Sequence, residues 1–460
     1  MSISRVLVAN RGEIALRIVR ACHEYGVEAV VATSAADRDS LAARTADRAV
    51  TIGPAKVADS YLAQDALLAT ALGTGCDAVH PGYGFLAENP DFADACEREG
   101  LIFVGPSGDM IRAMGNKLAA REIAKEAGVP VVPGSPHVAD LEAAEAAAAE
   151  IGFPLLIKAA AGGGGRGIRV VHGPSELKAG FLGAAGEAEA AFGDGTVYVE
   201  RYVERGRHIE VQILADHHGH VVHLGDRDCS MQRRYQKIIE EAPATLIPAR
   251  VGTELRQAAV RLSQRIGYRN AGTVEYIYDE MREEFYFLEM NTRIQVEHPV
   301  TEQITGIDLV EQQLRIADGE PLPFQQDEVR FEGHAIECRI NAEDASAGFR
   351  PSPGRVSRWQ PPAATYVRFD SHVEPGSLIP PFYDSMLGKL IVVGADRTEA
   401  VQRSATALAA FEIEGIATNL PFLRELIASS AFGAGEFHTR WVEDHLEELI
   451  PAPATESIPG

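Results

Sequence analysis

The apolar positions at the start of the chain come in runs. Residues 5–9 read as a buried strand, Ile14, Ile18 and Ala21 recur at helical spacing, and a second apolar run occupies 28–32. Further short runs at 78–80 and 101–104 each lead into a loop rich in Gly and Pro. Strands that are apolar throughout and separated by helices belong in a parallel sheet covered on both faces. Residues 1–113 are therefore predicted to form a doubly wound, Rossmann-like domain whose ligands sit at the strands' carboxyl ends.

The pattern changes further on. An alanine-glutamate helix at 140–150 precedes a short apolar strand ending in Lys158, and a glycine run follows at once. Strand patterns then dominate 196–286, for example at 210–214 and 273–277, predicting an α+β unit of mainly antiparallel strands over 114–335. From about Phe331 strands mix with helices, as at 388–393 and 399–410, giving a third, mixed α/β section over 336–446. The Pro-rich end is expected to be flexible over 447–460. The predicted class is thus multi-domain α/β and α+β, without an internal repeat.

Charge narrows the possible partners. With 43 basic and 66 acidic residues the chain carries -23, which argues against nucleic acid and requires any anionic substrate to find a local cationic pocket. Cys22, Cys76, Cys96, Cys229 and Cys338 are scattered, without zinc or redox spacing, so buried reduced thiols and a cytoplasmic location are expected. No apolar run is long enough to span a bilayer, and the first residues carry no export signal.

Four stretches carry candidate chemistry. Gly162-Gly163-Gly164-Gly165-Arg166-Gly167 leaves its backbone amides open to phosphate oxygens; standing between two strands it is a phosphate-covering lid or a plain flexible linker, and not a dinucleotide fingerprint. Glu289 and Asn291 end an apolar strand on one face, with Glu275 across a hairpin; such carboxylates suit magnesium or manganese, or else a solvated polar face. Arg293, Gln295 and Glu297 continue at two-residue spacing, adding a cation, an amide and a candidate base. Residues 228–237, ending in Lys237, concentrate cations either for an anionic substrate or as surface salt bridges.

Together, Val8-Ala9-Asn10-Arg11-Gly12-Glu13-Ile14-Ala15, His80-Pro81-Gly82-Tyr83-Gly84-Phe85-Leu86, residues 289–299 and Glu337-Cys338-Arg339-Ile340-Asn341 resemble biotin carboxylase over residues 1–446. The resemblance implies a central ATP-grasp fold with a mobile lid at about 133–204. It implies ATP- and bicarbonate-dependent carboxylation of biotin on a separate carrier protein through carboxyphosphate, as in the first half-reaction of acetyl-CoA carboxylase in fatty acid biosynthesis. Lys117, Lys158, Gly163, Gly164, Gly165, Arg166, Gly167, Glu200, Val203, His208 and Gln232 are the implied ATP contacts, with Glu275, Glu289 and Asn291 at the metal. Lys237, Arg293, Gln295, Val296 and Glu297 are the implied bicarbonate pocket. Glu297 is the implied base, Arg339 stabilises the biotin enolate, and Tyr83 lies at the ureido ring.

The family often has His at Tyr235 and Gly at Ala161, which separates this chain from the pattern at those positions. Arg20 and Glu24 match a dimer-interface pair, or form an ion pair on a helix surface, so a homodimer is expected. Carrier and carboxyltransferase subunits are the expected partners, since no Ala-Met-Lys-Met type signal is present. Three other readings stand beside this one. They are a carbamoyl phosphate synthase-like ATP-grasp ligase, the subunit of a pyruvate or propionyl-CoA carboxylase, and a nucleotide-sensing scaffold.

Overall fold

The computed structural model describes residues 2–159 and 168–450. Gly163, Gly164, Gly165, Arg166, Gly167 and the Ala161 departure lie outside the described residues, as does the chain from 451 onward.

Residues 5–103 form a five-stranded parallel sheet in the order Arg48–Gly53, Glu28–Ser34, Arg5–Val8, Ala78–His80, Ile102–Phe103. The first strand hands over to one neighbour at Glu28 and the later strands run out on the other side. The crevice between the loops after Arg5–Val8 and after Ala78–His80 is thus the topological switch point. Helix Gly12–Tyr25 packs Ile14, Ile18 and Val19 against this sheet, matching the predicted spacing.

A four-stranded antiparallel sheet, ordered Gly134–Val138, Val197–Arg201, Leu155–Ala159, Ile168–Val171, carries helices Leu141–Ile151 and Pro174–Phe192 and has its own core. Asp140 caps the first of these helices by accepting from Ala143 N.

The largest sheet has eight antiparallel strands in the order Glu284–Asn291, Asn270–Asp279, Gly206–Ala215, Val221–Arg233, Gln236–Ala242, His334–Asn341, Met386–Gly394, Val367–Ser371. The mixed section predicted from residue 336 therefore shares one hydrogen-bonded sheet with the middle of the chain. Period-two patterning gives the sheet two unlike faces. Ile209, Val211 and Ile213 pack under helix Ala249–Arg265, while His208, Glu210 and Gln212 turn to the other side. Folded structure continues through helix Leu446–Leu449, whose Leu449 is buried, so order extends past residue 446, where a flexible tail was expected. Among the described residues no helix is long and apolar enough to cross a membrane, and all five cysteines are free and buried.

Candidate active site

Strand register sets three carboxylates in a row across the sheet: Glu289 opposite Glu275, Glu275 opposite Glu210, and Glu210 opposite Arg227. Like charges directly opposed repel, so each gap needs a cation. Arg227, fully buried, closes one end with Nε 2.5 Å from Glu210 Oε1 and further bonds to Gln212, Thr273 and Thr301. Lys237 Nζ fills the next gap, 2.5 Å from Glu210 Oε2 and 3.0 Å from Glu275 Oε1.

Among the described residues, no such side chain fills the gap between Glu275 and Glu289. His208 Nε2 reaches Glu275 Oε2 at 2.9 Å on the flank. Burial and the neighbouring Glu275 push the Glu289 carboxyl up, with Lys117 acting only weakly against them. Burial opposes ionisation of Glu275 as well, but Lys237 and His208 outweigh it and hold that carboxyl well down. Two hard oxygen donors with an uncompensated space between them fit a divalent cation such as magnesium. A bulge at Leu288, between the Glu275 and Tyr276 registers, bends the edge strand beside this gap. Glu289→Ala should raise the magnesium concentration for half-maximal ATP cleavage by about tenfold or more, since even outer partners of a metal site are worth that much. A magnesium titration of ADP release measures it.

Beyond the edge strand, residues 292–297 form a loop instead of continuing the strand, yet the three side chains still converge. Arg293 donates to Glu88 at 2.9 Å, Gln295 Oε1 at 2.8 Å and Asn291 Oδ1 at 3.2 Å. The amides of Asn291 and Gln295 both donate to Glu275 Oε1, at 2.8 and 3.0 Å. Val296 presents its carbonyl to Lys389 Nζ at 2.8 Å. Glu297, fully buried, bridges two cations: Oε1 accepts from Lys237 at 2.6 Å and Oε2 from Arg339 at 3.0 Å. Burial disfavours its ionised form, but Lys237, Arg339 and Arg227 reverse that and hold it well below the usual carboxylate range. Burial likewise works against the Lys237 ammonium, and Glu210, Glu275 and Glu297 more than restore it.

On the far side of Glu297, Arg339 Nε donates to Glu240 at 2.6 Å. Arg339 also borders a cavity of about 260 Å³ lined by Arg11, Glu13, Tyr83, Val296 and Asp384, among others. This cavity lies at the switch point of the parallel sheet. Asn10 Nδ2 stitches the two crevice loops together by donating to the carbonyls of Pro81 and Tyr83 at 2.6 and 2.8 Å. Gly82, at φ 62°, is required there, because an added Cβ would sit 3.0 Å from that amide. The Tyr83 hydroxyl donates to Glu13, which pairs with fully buried Lys389 at 3.1 Å.

The remaining predicted contacts form a second group. Lys158, at the end of its strand, gives Nζ to Glu200 at 2.5 Å, and Arg121 also pairs with Glu200. Arg201, ending the strand Val197–Arg201, donates to the Tyr286 hydroxyl at 3.4 Å, which sets the small sheet against the edge strand Glu284–Asn291. Lys117 is exposed at the start of helix Lys117–Glu126, and Val203 lies on the link into the large sheet. Gln232 is buried opposite Lys237. Arg20 and Glu24 are both exposed on helix Gly12–Tyr25.

The cation cluster at 228–237 does not act as a unit. Asp228 pairs with Arg207, Arg233 lies over the Phe349 ring, Tyr235 is exposed at a hairpin tip, and Lys237 alone supplies a cation to the acidic row. Residues passed over in the sequence are Glu210, Arg227, Glu240, Glu88 and Lys389, the partners that fix the predicted ones. Glu210 had a visible signal: His208, Glu210 and Gln212 alternate with apolar residues on one strand. The others become partners only through pairing between distant segments.

Three family models cover the chain in sequence: biotin carboxylase N-terminal domain over residues 2–111, carbamoyl-phosphate synthase L chain ATP binding domain over 116–325, and biotin carboxylase C-terminal domain over 337–444. The chain belongs to the biotin carboxylase family. It is 51% identical over 444 residues to biotin carboxylase 1 of Bacillus subtilis, covering 96% of this chain and 99% of that one. It is 50% identical over 443 residues to a pyruvate carboxylase subunit of Methanothermobacter thermautotrophicus, covering 96% of this chain and 90% of that one. The biotin carboxylase domain dimer of Hydrogenobacter thermophilus 2-oxoglutarate carboxylase, solved with MgADP, ADP and bicarbonate, superposes with a TM-score of 0.92 at 45% identity. That match covers 98% of this chain and 100% of that one. As a biotin carboxylase the protein is an ATP-dependent ligase whose chemistry uses magnesium, ATP and biotin. Among the described residues, the acidic row and the switch-point cavity are two candidate places for them.

Proposed function

We propose that the two places are two halves of one reaction, joined at Glu297. The observation that carries this reading is the pair of hydrogen bonds that Glu297 accepts, from Lys237 on the side of the acidic row and from Arg339 on the side of the cavity. Bicarbonate would occupy the space bounded by Lys237, Arg293, Gln295 and the Val296 backbone. Arg293 then meets it as a planar two-pronged donor and Lys237 as a point charge. An incoming anion offsets the cations that depress Glu297, and so raises the proton affinity of its carboxylate as the substrate arrives. Glu297 takes the bicarbonate proton, and the freed oxygen attacks the γ-phosphate of ATP, breaking its bond to the β,γ-bridging oxygen, to give carboxyphosphate and ADP.

ATP would lie between the acidic row and the small sheet, held by Lys117, Lys158, Glu200, Val203, His208 and Gln232. A divalent cation, held by Glu275 and Glu289 with Asn291, supplies charge neutralisation there. Once Glu297 carries a proton its hold on Arg339 weakens, and the guanidinium is free to turn to the ureido oxygen of biotin in the cavity near Tyr83. Carboxyphosphate breaks down to carbon dioxide and phosphate, the phosphate takes the N1′ proton of biotin, and N1′ of the resulting enolate attacks the carbon dioxide to give carboxybiotin and leave hydrogen phosphate. Positioning and fixed charge do the work.

We assign the chain to a homodimeric carboxylase component that works with biotin on a separate carrier protein and with a carboxyltransferase, and to acetyl-CoA as the final acceptor. Similarity to a Bacillus biotin carboxylase supports the first half-reaction, and similarity to a pyruvate carboxylase subunit supports pyruvate as the alternative acceptor. Purified protein should release ADP faster when bicarbonate, magnesium and biotin are supplied together than when any one is omitted. No such dependence would defeat the reading. Arg339→Met should lower biotin carboxylation by about a hundredfold or more, as removal of an oxyanion-stabilising donor does. Bicarbonate-dependent ATP cleavage without biotin should persist, and its loss would place Arg339 in the first step.

A further inference from the structure

Glu337 is a fully buried carboxyl that the reaction above does not use. It precedes Arg339 by two residues on strand His334–Asn341, so the two project from one face of the large sheet. Its cross-strand partners are Glu240 on one side and Ile391 on the other. Helix His298–Thr305 closes this face, packing Val300 and Ile304 against Ala335 and Ile391. Among the described residues, neither oxygen of Glu337 has a hydrogen-bond partner, and Oε2 of the adjacent Glu240 is equally buried and unpartnered.

The cations around Glu337 are already committed. Arg339 is bound to Glu240 and Glu297, and Lys389 to Glu13 and the Val296 carbonyl. Arg17 pairs with Glu302 and Asp308, and Arg368 with Glu302 and Asp370. His298, on the helix above, is buried, and burial holds its ring neutral. An ionised carboxylate left without a donor in such a medium is far costlier than a neutral acid.

We infer that Glu337 is carried as the neutral carboxylic acid beside an ionised Glu240, so that this pair presents Arg339 with one negative charge instead of two. Glu337 is then a positioning residue, and the inference rests on the reading of Arg339 as the biotin-facing cation. With both carboxyls ionised and Glu297 as a third, the positive field of the guanidinium toward the cavity would be cancelled. With Glu337 neutral, Glu240 anchors Nε, Nη2 is shared between Glu240 and Glu297, and among the described residues Nη1 stays available. Burial pushes Glu337 well above the usual carboxylate range, with Glu240 adding to the rise against Lys389. Burial also lifts Glu240, to about 7, but Glu240 has Arg339 as a donor and Glu337 has none, so the proton resides on Glu337.

Infrared spectra of the full chain in light and heavy water at neutral pH read this directly. The parent should show a protonated-carboxyl band that E337Q lacks. E337Q, an isostere of the neutral acid, should keep kcat/KM for biotin within about threefold of the parent. It should also lose less activity on the alkaline side, where deprotonation of Glu337 would add the second charge. A parent without the band, a band that survives in E337Q, or a folded E337Q that no longer carboxylates biotin each overturns the inference. If E337Q does not fold, E240Q decides: removal of the neighbouring charge should let Glu337 ionise and weaken the band, and an unchanged band counts against it. The spectrum is independent of substrate, so failure of the Arg339→Met test leaves this result separately readable.

Discussion

Glu297→Gln is expected to lower bicarbonate-dependent ATP cleavage by about a hundred- to ten-thousandfold, the range that a positioned general base supplies. Glutamine keeps the shape but offers a single acceptor oxygen, so it can accept from Lys237 or from Arg339 while its NH2 faces the other cation, and it cannot take a proton. Nucleotide affinity should change little, because the proposed ATP contacts lie on the other side of Lys237. The check is ADP release at saturating bicarbonate, magnesium and biotin, with nucleotide binding measured in parallel. Cleavage that stays within a few-fold of the parent would remove Glu297 from the base role. Weakened nucleotide binding of comparable size would instead point to collapse of the acidic row.

Lys237→Met is expected to be damaging twice over. Its ammonium is the common partner of Glu210, Glu275 and Glu297, at 2.5, 3.0 and 2.6 Å. Truncation leaves three buried carboxylates facing one another, and breaking a buried pair in this way costs about 3–5 kcal/mol. The melting temperature should fall by several degrees, and bicarbonate-stimulated ATP cleavage should fall with it.

The pH dependence carries a sign. Glu275 and Glu297 are held below their unfolded values, largely by Lys237, so their contribution to stability is present above the ordinary carboxylate range. It is lost as pH falls through their lowered values, because the unfolded chain takes up the protons first. In K237M much of that depression is gone, so the difference in melting temperature between parent and variant should shrink on acidification. A difference that stays constant with pH would show that Lys237 stabilises by packing alone.

Much of this arrangement could be read from spacing. The parallel sheet followed from apolar runs between helices, and the expectation of ligands at its carboxyl ends followed from its doubly wound order. Residues Asn10–Glu13 and Tyr83 do border the cavity at the switch point. The hairpin set Glu275 opposite Glu289 because alternation along two adjacent strands is a local property. Alternation also placed His208 and Glu210 on one face, although Glu210 was passed over as an ordinary strand residue. The stretch after Asn291 was read as extended and is a loop, yet Arg293, Gln295 and Glu297 meet in the site. Their positions are set by distant partners, Glu88, Glu275, Lys237 and Arg339.

What the chain determined by itself was everything that depends on near neighbours: strand and helix periods, the glycines of the crevice loops, the acidic pair across a hairpin, and the excess of negative charge that demands a local cationic pocket. Tertiary structure alone decided the pairing of Gln236–Ala242 with His334–Asn341, which makes one sheet of two predicted sections and brings Arg339 to Glu240 and Glu297. The physical reason is that strand periodicity specifies which face a side chain takes, whereas the partner it meets there depends on which distant strand completes the hydrogen-bond ladder. Burial then turns those meetings into shifted protonation, and neither burial nor neighbour is encoded at a single position.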